Sequence, residues 1–252
     1  MKLKSTIIRG IPAKLIGLVC ICLSSGAIAF SFNERGALWH VVDDLCLPMQ
    51  RAISLPLPCL KVDPERGFVV IRAPLDETQI IIVPTAKMEG IESPVVLQDN
   101  MPNLWLFAWN ERSRVTARVR RPLDWSDIGM AINSKEQRTQ DQLHIHVSCV
   151  DARLKQALAS HAGTISTKWS ALDLHPWANQ YRIKRIDVAA LNQNIFKLIA
   201  DEVPGARLRM ALQSIAVVGL PDKNGDRGFA VLVNSKGGHA EELLDHTCSN
   251  GE

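Results

Sequence analysis

From Gln142 to Cys149 the chain alternates without a break: Gln-Leu-His-Ile-His-Val-Ser-Cys. That is the period of a strand with one face buried, and a helix would scatter these residues around its axis. One face carries Gln142, His144, His146 and Ser148; the other carries Leu143, Ile145, Val147 and Cys149. Two imidazoles therefore stand on one rigid element, about 6.5–7 Å apart along the strand and pointing the same way. Upstream, Ile128, Met130 and Ile132 alternate with Gly129, Ala131 and Asn133, a second strand of the same kind. Paired as a hairpin across residues 134–141, the two strands pool their apolar faces and set His144 and His146 beside Gly129 and Ala131. Small residues there leave space above the sheet for a ligand. Asn133 ends that row, placed to orient a histidine or to bind a phosphate oxygen.

A neutral imidazole is a competent nucleophile near pH 7. Two histidines two apart on a strand are also a zinc pair, but a third ligand is then needed. His40, His161, His175, His239, His246 and the carboxylates are available, and none stands at a ligand spacing. The remaining reading is a pair of ordinary surface or core histidines.

The 252 residues are 46% apolar, enough for one sizeable packed domain. The formal net charge of +3 is uneven. Lys2, Lys4, Arg9 and Lys14 precede an uncharged, mostly apolar run at 15–32; without these four, 25 basic face 26 acidic residues. A body with no overall basic field argues against nucleic acid as a partner. The run 15–32 reads as a retained transmembrane signal anchor, with 1–14 as its cytoplasmic basic flank and 33–252 as an exported domain. Ala27-Ile28-Ala29 offers the alternative of a cleaved signal peptide. Outside that run, Cys46, Cys59, Cys149 and Cys248 make an even set suited to an oxidising compartment. Three pairings are open. Joining Cys46 to Cys59 closes a short Pro-rich loop and leaves Cys149 and Cys248 to tie the C-terminus to the histidine strand.

Elsewhere, Ala37, Leu38, Val41, Val42 and Leu45 form a helical stripe expected to stop near Cys46-Leu47-Pro48. Residues 68–71 and 79–83 read as a hairpin. A helix over 103–118 places Trp105, Ala108 and Trp109 on one side, as core or as a wall for a base or acyl chain. Arg112, Arg114, Arg118, Arg120 and Arg121 read as a solvated face or as an attraction for anionic lipid head groups or a pyrophosphate. After Cys149, helices are expected over 153–160 and 195–203, and strands over 167–174, 182–186, 214–218 and 229–233.

Asn133 followed by Gln142-Leu143-His144-Ile145-His146-Val147-Ser148 resembles the histidine-triad signature, with its first histidine replaced by Gln142. The wider chain resembles the bacterial CDP-diacylglycerol pyrophosphatases of that superfamily. The matching pieces are Cys46-Leu47-Pro48 with Pro58-Cys59, Gly67-Phe68-Val69-Val70, Val83-Pro84-Thr85 and Glu92-Ser93-Pro94. They continue with Ala131-Ile132-Asn133-Ser134, Arg138-Thr139-Gln140 and Asp245-His246-Thr247-Cys248. The resemblance implies an α+β fold: a histidine-triad-like antiparallel sheet with flanking helices and one N-terminal transmembrane helix. It implies hydrolysis of the lipid CDP-diacylglycerol to CMP and phosphatidate at the periplasmic side of the inner membrane, without a metal or other cofactor. It makes His144 the nucleophile and His146 the contact to the phosphoryl group or leaving oxygen, with Asn133, Thr139 and Gln140 as donors to phosphate oxygens. Two alternatives stand beside it. One is another envelope nucleotide-diphosphate hydrolase or nucleotidyl transferase. The other is a non-catalytic nucleotide or lipid binding module, which the missing first histidine favours.

Overall fold

The computed structural model describes residues 34–73, 76, 78–171, 174–177, 180–221 and 227–249. Its frame is an antiparallel sheet. The strands are β1 (Lys61–Asp63), β2 (Phe68–Arg72), β3 (Ile80–Pro84), β4 (Ile128–Ile132), β5 (Ile145–Val150), β6 (Ser170–Ala171), β7 (Arg182–Asp187), β8 (Ser214–Gly219), β9 (Gly228–Asn234) and β10 (Leu244–Asp245). Their order is β1-β2-β3-β5-β4-β8-β9-β7-β6, with β10 also on β5. The β4–β5 hairpin has the expected register, Gly129 opposite Ser148, Met130 opposite Val147 and Ala131 opposite His146. One edge of β5 is shared. β3 pairs with it from Ile82↔Ile145 to Ile80↔Val147, and β10 takes over at Asp245↔Cys149 and Leu244↔Val150. The C-terminal segment is thereby laid beside the histidine strand.

Alternation sorts the sheet into two faces. Ile80, Ile82, Met130, Ile145, Val147, Val217 and Phe229 meet α3 (Leu104–Asn110), α4 (Ser113–Thr116) and α6 (Ile195–Glu202) in the larger core. Trp105 and Trp109 are buried there, so the tryptophan stripe is core and lies on the face away from the histidines. The opposite face is covered in two places. Val69, Ile71, Ile81 and Val83 pack under α1 (Ala37–His40), the π turn Val41–Cys46 and α2 (Leu47–Ile53). Ala131, Ala216, Val218 and Leu232 pack under α5 (Ala152–His161) and the 3-10 turn Ala240–Leu243. His146 sits between these bodies, in the row Ile81–His146–Ala131–Ala216.

Several sequence expectations are corrected. The first helix does not stop at Cys46-Leu47-Pro48; helical backbone continues to Ile53. A π turn, with the Leu47 N–H on the Val42 carbonyl, precedes Pro48, whose missing N–H then costs no ordinary helical bond. The helix expected over 103–118 is two pieces, because the chain leaves helical geometry at Glu111 and the Arg112 side chain takes the Trp109 carbonyl at 2.7 Å. The strand expected over 167–174 is reduced to β6. The membrane-spanning part of the fold expectation is also corrected: among the described residues no helix is long and apolar enough to cross a membrane. Their apolar sides are spent on the sheet. The run 15–32 itself lies outside the described residues.

Both disulfides form, Cys46–Cys59 and Cys149–Cys248. The second crosses from β5 to the C-terminal segment. The space foreseen above Gly129 is occupied by the same segment: a Cβ there would meet Leu244 Cδ2 at 2.7 Å. Glycine at 129 therefore serves the approach of β10.

Candidate active site

The histidine rings lie edge to face, centroids 4.8 Å apart. His144 and His146 keep only 7% and 8% of their surface exposed. His144 Nδ1 lies 2.6 Å from the Gln142 carbonyl oxygen. A carbonyl only accepts, so Nδ1 carries the proton and the lone pair is on Nε2. Burial, and after it the positive charge of His146, pushes the His144 pKa down to about 4 against the pull of the Gln142 bond. The ring is neutral at pH 7 with its open nitrogen defined.

Gln142 is fully buried and points at the backbone of the loop after β3. It accepts from Met88 N at 3.0 Å and donates to the Pro84 and Ala86 carbonyls at 3.2 and 2.9 Å. Its side chain fixes the loop after β3, while its carbonyl fixes His144.

His146 has a partner that local sequence reading did not find. Glu241 Oε1 lies 3.0 Å from His146 Nδ1, and Gln79 Nε2 lies 3.0 Å from the same nitrogen and donates to Oε1 at 3.2 Å. Asn133 holds Glu241 twice: Nδ2 donates to Oε2 at 2.9 Å and Oδ1 accepts from the Glu241 N–H at 3.0 Å. His239 and His246 approach the same carboxylate at 3.5 and 3.6 Å. Burial alone would raise the Glu241 pKa. The charge on His146 and the bonds from His146, His239 and Gln79 hold it far below the usual carboxylate range. His146 Nε2 is buried with no hydrogen-bond partner.

Of the residues singled out from sequence, His144, His146 and Asn133 come together. A small recess beside His144 is lined by Asn133, Arg138, Gly90 and Gln142. Arg138 is buried between Glu92, at 2.7 Å, and Asp141, at 2.9 Å. Gly90 permits this, since a Cβ there would lie 2.6 Å from Arg138 Nη1. Thr139 is exposed on the loop. Gln140 is tied to the N-terminal side, accepting from Leu38 N at 2.8 Å and donating to the Glu34 carbonyl at 3.2 Å. Ser148 donates to the Asp245 carbonyl at 2.8 Å. Among the described residues no group of three or more His, Cys, Asp or Glu is placed to hold a metal ion.

A neutral histidine with a free nitrogen, beside a second histidine held by a carboxylate, is an arrangement for nucleophilic attack with proton transfer to a leaving oxygen. The sequence comparisons agree with a hydrolytic role. The CDP-diacylglycerol pyrophosphatase from Yersinia pestis is 37% identical over 237 residues, covering 92% of this chain and 91% of that protein. With the CDP-diacylglycerol pyrophosphatase family profile also matching residues 33–252, the chain belongs to that family of hydrolases.

Proposed function

We propose that this protein hydrolyses the phosphoanhydride of CDP-diacylglycerol through a nucleotide covalently held on His144. His144 Nε2 attacks the cytidine-side phosphorus. The bond to the bridging oxygen breaks, its electron pair leaves with phosphatidate, and the His146 imidazolium gives that oxygen a proton from Nε2. Water then attacks the same phosphorus and yields a proton to His146. The P–N bond breaks, the electron pair returns to His144 Nε2, and CMP departs. Glu241 is the positioning residue: its carboxylate, 3.0 Å from Nδ1, fixes the His146 ring and aims Nε2. The observation that carries this reading is the His144 Nδ1–Gln142 carbonyl bond of 2.6 Å, which leaves Nε2 as the nucleophilic atom. The two disulfides support a place outside the cytoplasm, on the periplasmic side of the inner membrane where the substrate lipid is held.

The test is turnover of CDP-diacylglycerol by wild type beside His144→Ala, with an alkaline quench and mass spectrometry to find CMP on the His144 peptide. The expected result is a CMP adduct in wild type and a loss of several orders of magnitude in His144→Ala. Near-normal turnover in that variant would overturn the assignment.

A further inference from the structure

Of the five large apolar side chains exposed among the described residues, Ile53, Leu55 and Leu57 lie within five positions, 55%, 47% and 55% exposed. They project from the stretch whose ends the Cys46–Cys59 bridge clamps together. From 45 to 62 there is no acidic residue, and Arg51 on this stretch is exposed.

The loop re-enters the sheet where the Leu60 N–H meets the Val70 carbonyl and Lys61 pairs with Val70, so it sits at the end of the sheet where β2 runs out at Arg72. Cations gather at that end. Lys61 bonds Glu111 at 2.6 Å, and Glu111 bonds Arg114 at 2.6 Å. The Arg72 guanidinium, donating to the Thr78 carbonyl, is held below its usual pKa by burial and then by the charges of Arg118 and Arg114. Arg118 and Arg120 are exposed, and their guanidinium groups make no hydrogen bond or ion pair among the described residues. They line a recess of about 300 Å³ together with Thr247, Cys248 and Ser249. Next along the chain is His246, which faces Glu241. An apolar tip, a set of cations and the catalytic cluster thus follow one another across one end of the molecule. Acyl chains beneath a layer of negative head groups offer the matching chemistry.

We propose that loop 53–58, flanked by Arg51, Arg118 and Arg120, docks the domain on an anionic phospholipid bilayer and delivers the site to its lipid. This rests on the lipid-substrate reading above. Two measurements on the full chain test it. The first places a reporter on the loop: Leu55→Trp, mixed with phosphatidylethanolamine–phosphatidylglycerol vesicles whose acyl chains are brominated. The emission added by this tryptophan over wild type is quenched if the loop enters the bilayer; unquenched emission overturns the proposal. The second compares substrates. Leu55→Glu/Leu57→Glu loses about tenfold or more in turnover of long-chain CDP-diacylglycerol in those vesicles. It keeps wild-type turnover of monomeric dioctanoyl CDP-diacylglycerol, which also shows that the variant folds. Arg118→Glu/Arg120→Glu loses about tenfold on vesicles, an effect that disappears at high salt. Wild-type vesicle turnover by the loop variant would sink the idea. So would a dimeric wild type made monomeric by the loop substitutions, which would assign the patch to a second copy. Quenching at position 55 with no turnover of either substrate by wild type would defeat the hydrolase reading and leave the docking surface standing.

Discussion

His144 is set apart from an ordinary histidine by its burial. A histidine in water is half protonated near 6.5, whereas this ring holds out to about 4. Its neutral form therefore persists as the pH falls, and the acid limb of kcat/KM should lie well below 6; a limb at 6–6.5 would mean that His144 is not the group titrating. The sign for stability follows from the same shift. Between 6.5 and about 4 the unfolded chain takes up a proton that the folded ring refuses. Stability is therefore fully present above 6.5 and falls as the pH drops through that window, by about 3 kcal/mol from this residue. Urea titrations of wild type and His144→Ala at pH 7 and pH 5 measure it, with the smaller pH dependence expected in the variant. Glu241 acts by charge. Glu241→Gln keeps its shape but removes the anion from His146 Nδ1. We expect kcat to fall by about a hundredfold with KM little changed. A purely structural Glu241 would instead lower the urea midpoint and leave the kcat of the folded variant unchanged.

At the scale of the element, β5 and the residues leading into it hold the two histidines on one face and stitch a loop through Gln142. Gln142→Leu would leave the Met88 N–H and the Pro84 and Ala86 carbonyls unpartnered, each buried loss costing about 1–3 kcal/mol. A drop in the urea midpoint with unchanged slope checks it. Gln142→His, which restores the triad pattern, should also destabilise and should not raise turnover, because an imidazole cannot make all three bonds. The strand, its facing and its hairpin partner were legible because period-two alternation is a local property of the chain. The stitching by Gln142 was not, since its partners lie more than fifty residues away and nothing in the neighbouring sequence marks them. Glu241 was hidden for the same reason: it stands in a short 3-10 turn and reaches the site through Asn133, 108 residues earlier. The break in the tryptophan helix and the passage of the first helix through Pro48 depend on side-chain and π-turn bonds that periodicity does not report.

For the whole molecule, the Cys149–Cys248 bridge closes a separation of 99 residues across the site. Replacing both cysteines by Ala should cost about 4 kcal/mol and lower Tm by roughly 10 °C on the chain-entropy account. Activity should fall further than stability, since Asp245 and His246 lose their covalent tie to β5 and keep only the strand pairing and the Ser148 bond; calorimetry beside turnover separates the two effects. From sequence this pairing was one of three left open, the one that remains once Cys46 joins Cys59, while the sharing of one edge of β5 between β3 and β10 is a matter of tertiary register. That shared edge bears on how the enzyme is made. A chain emerging from the ribosome presents its histidine strand long before residue 241 exists, and the carboxylate that faces His146 arrives only with the tail. A protein shortened by a dozen residues at its end would be synthesised almost whole and yet lack Glu241, the Cys248 bridge and the strand that completes one edge of β5.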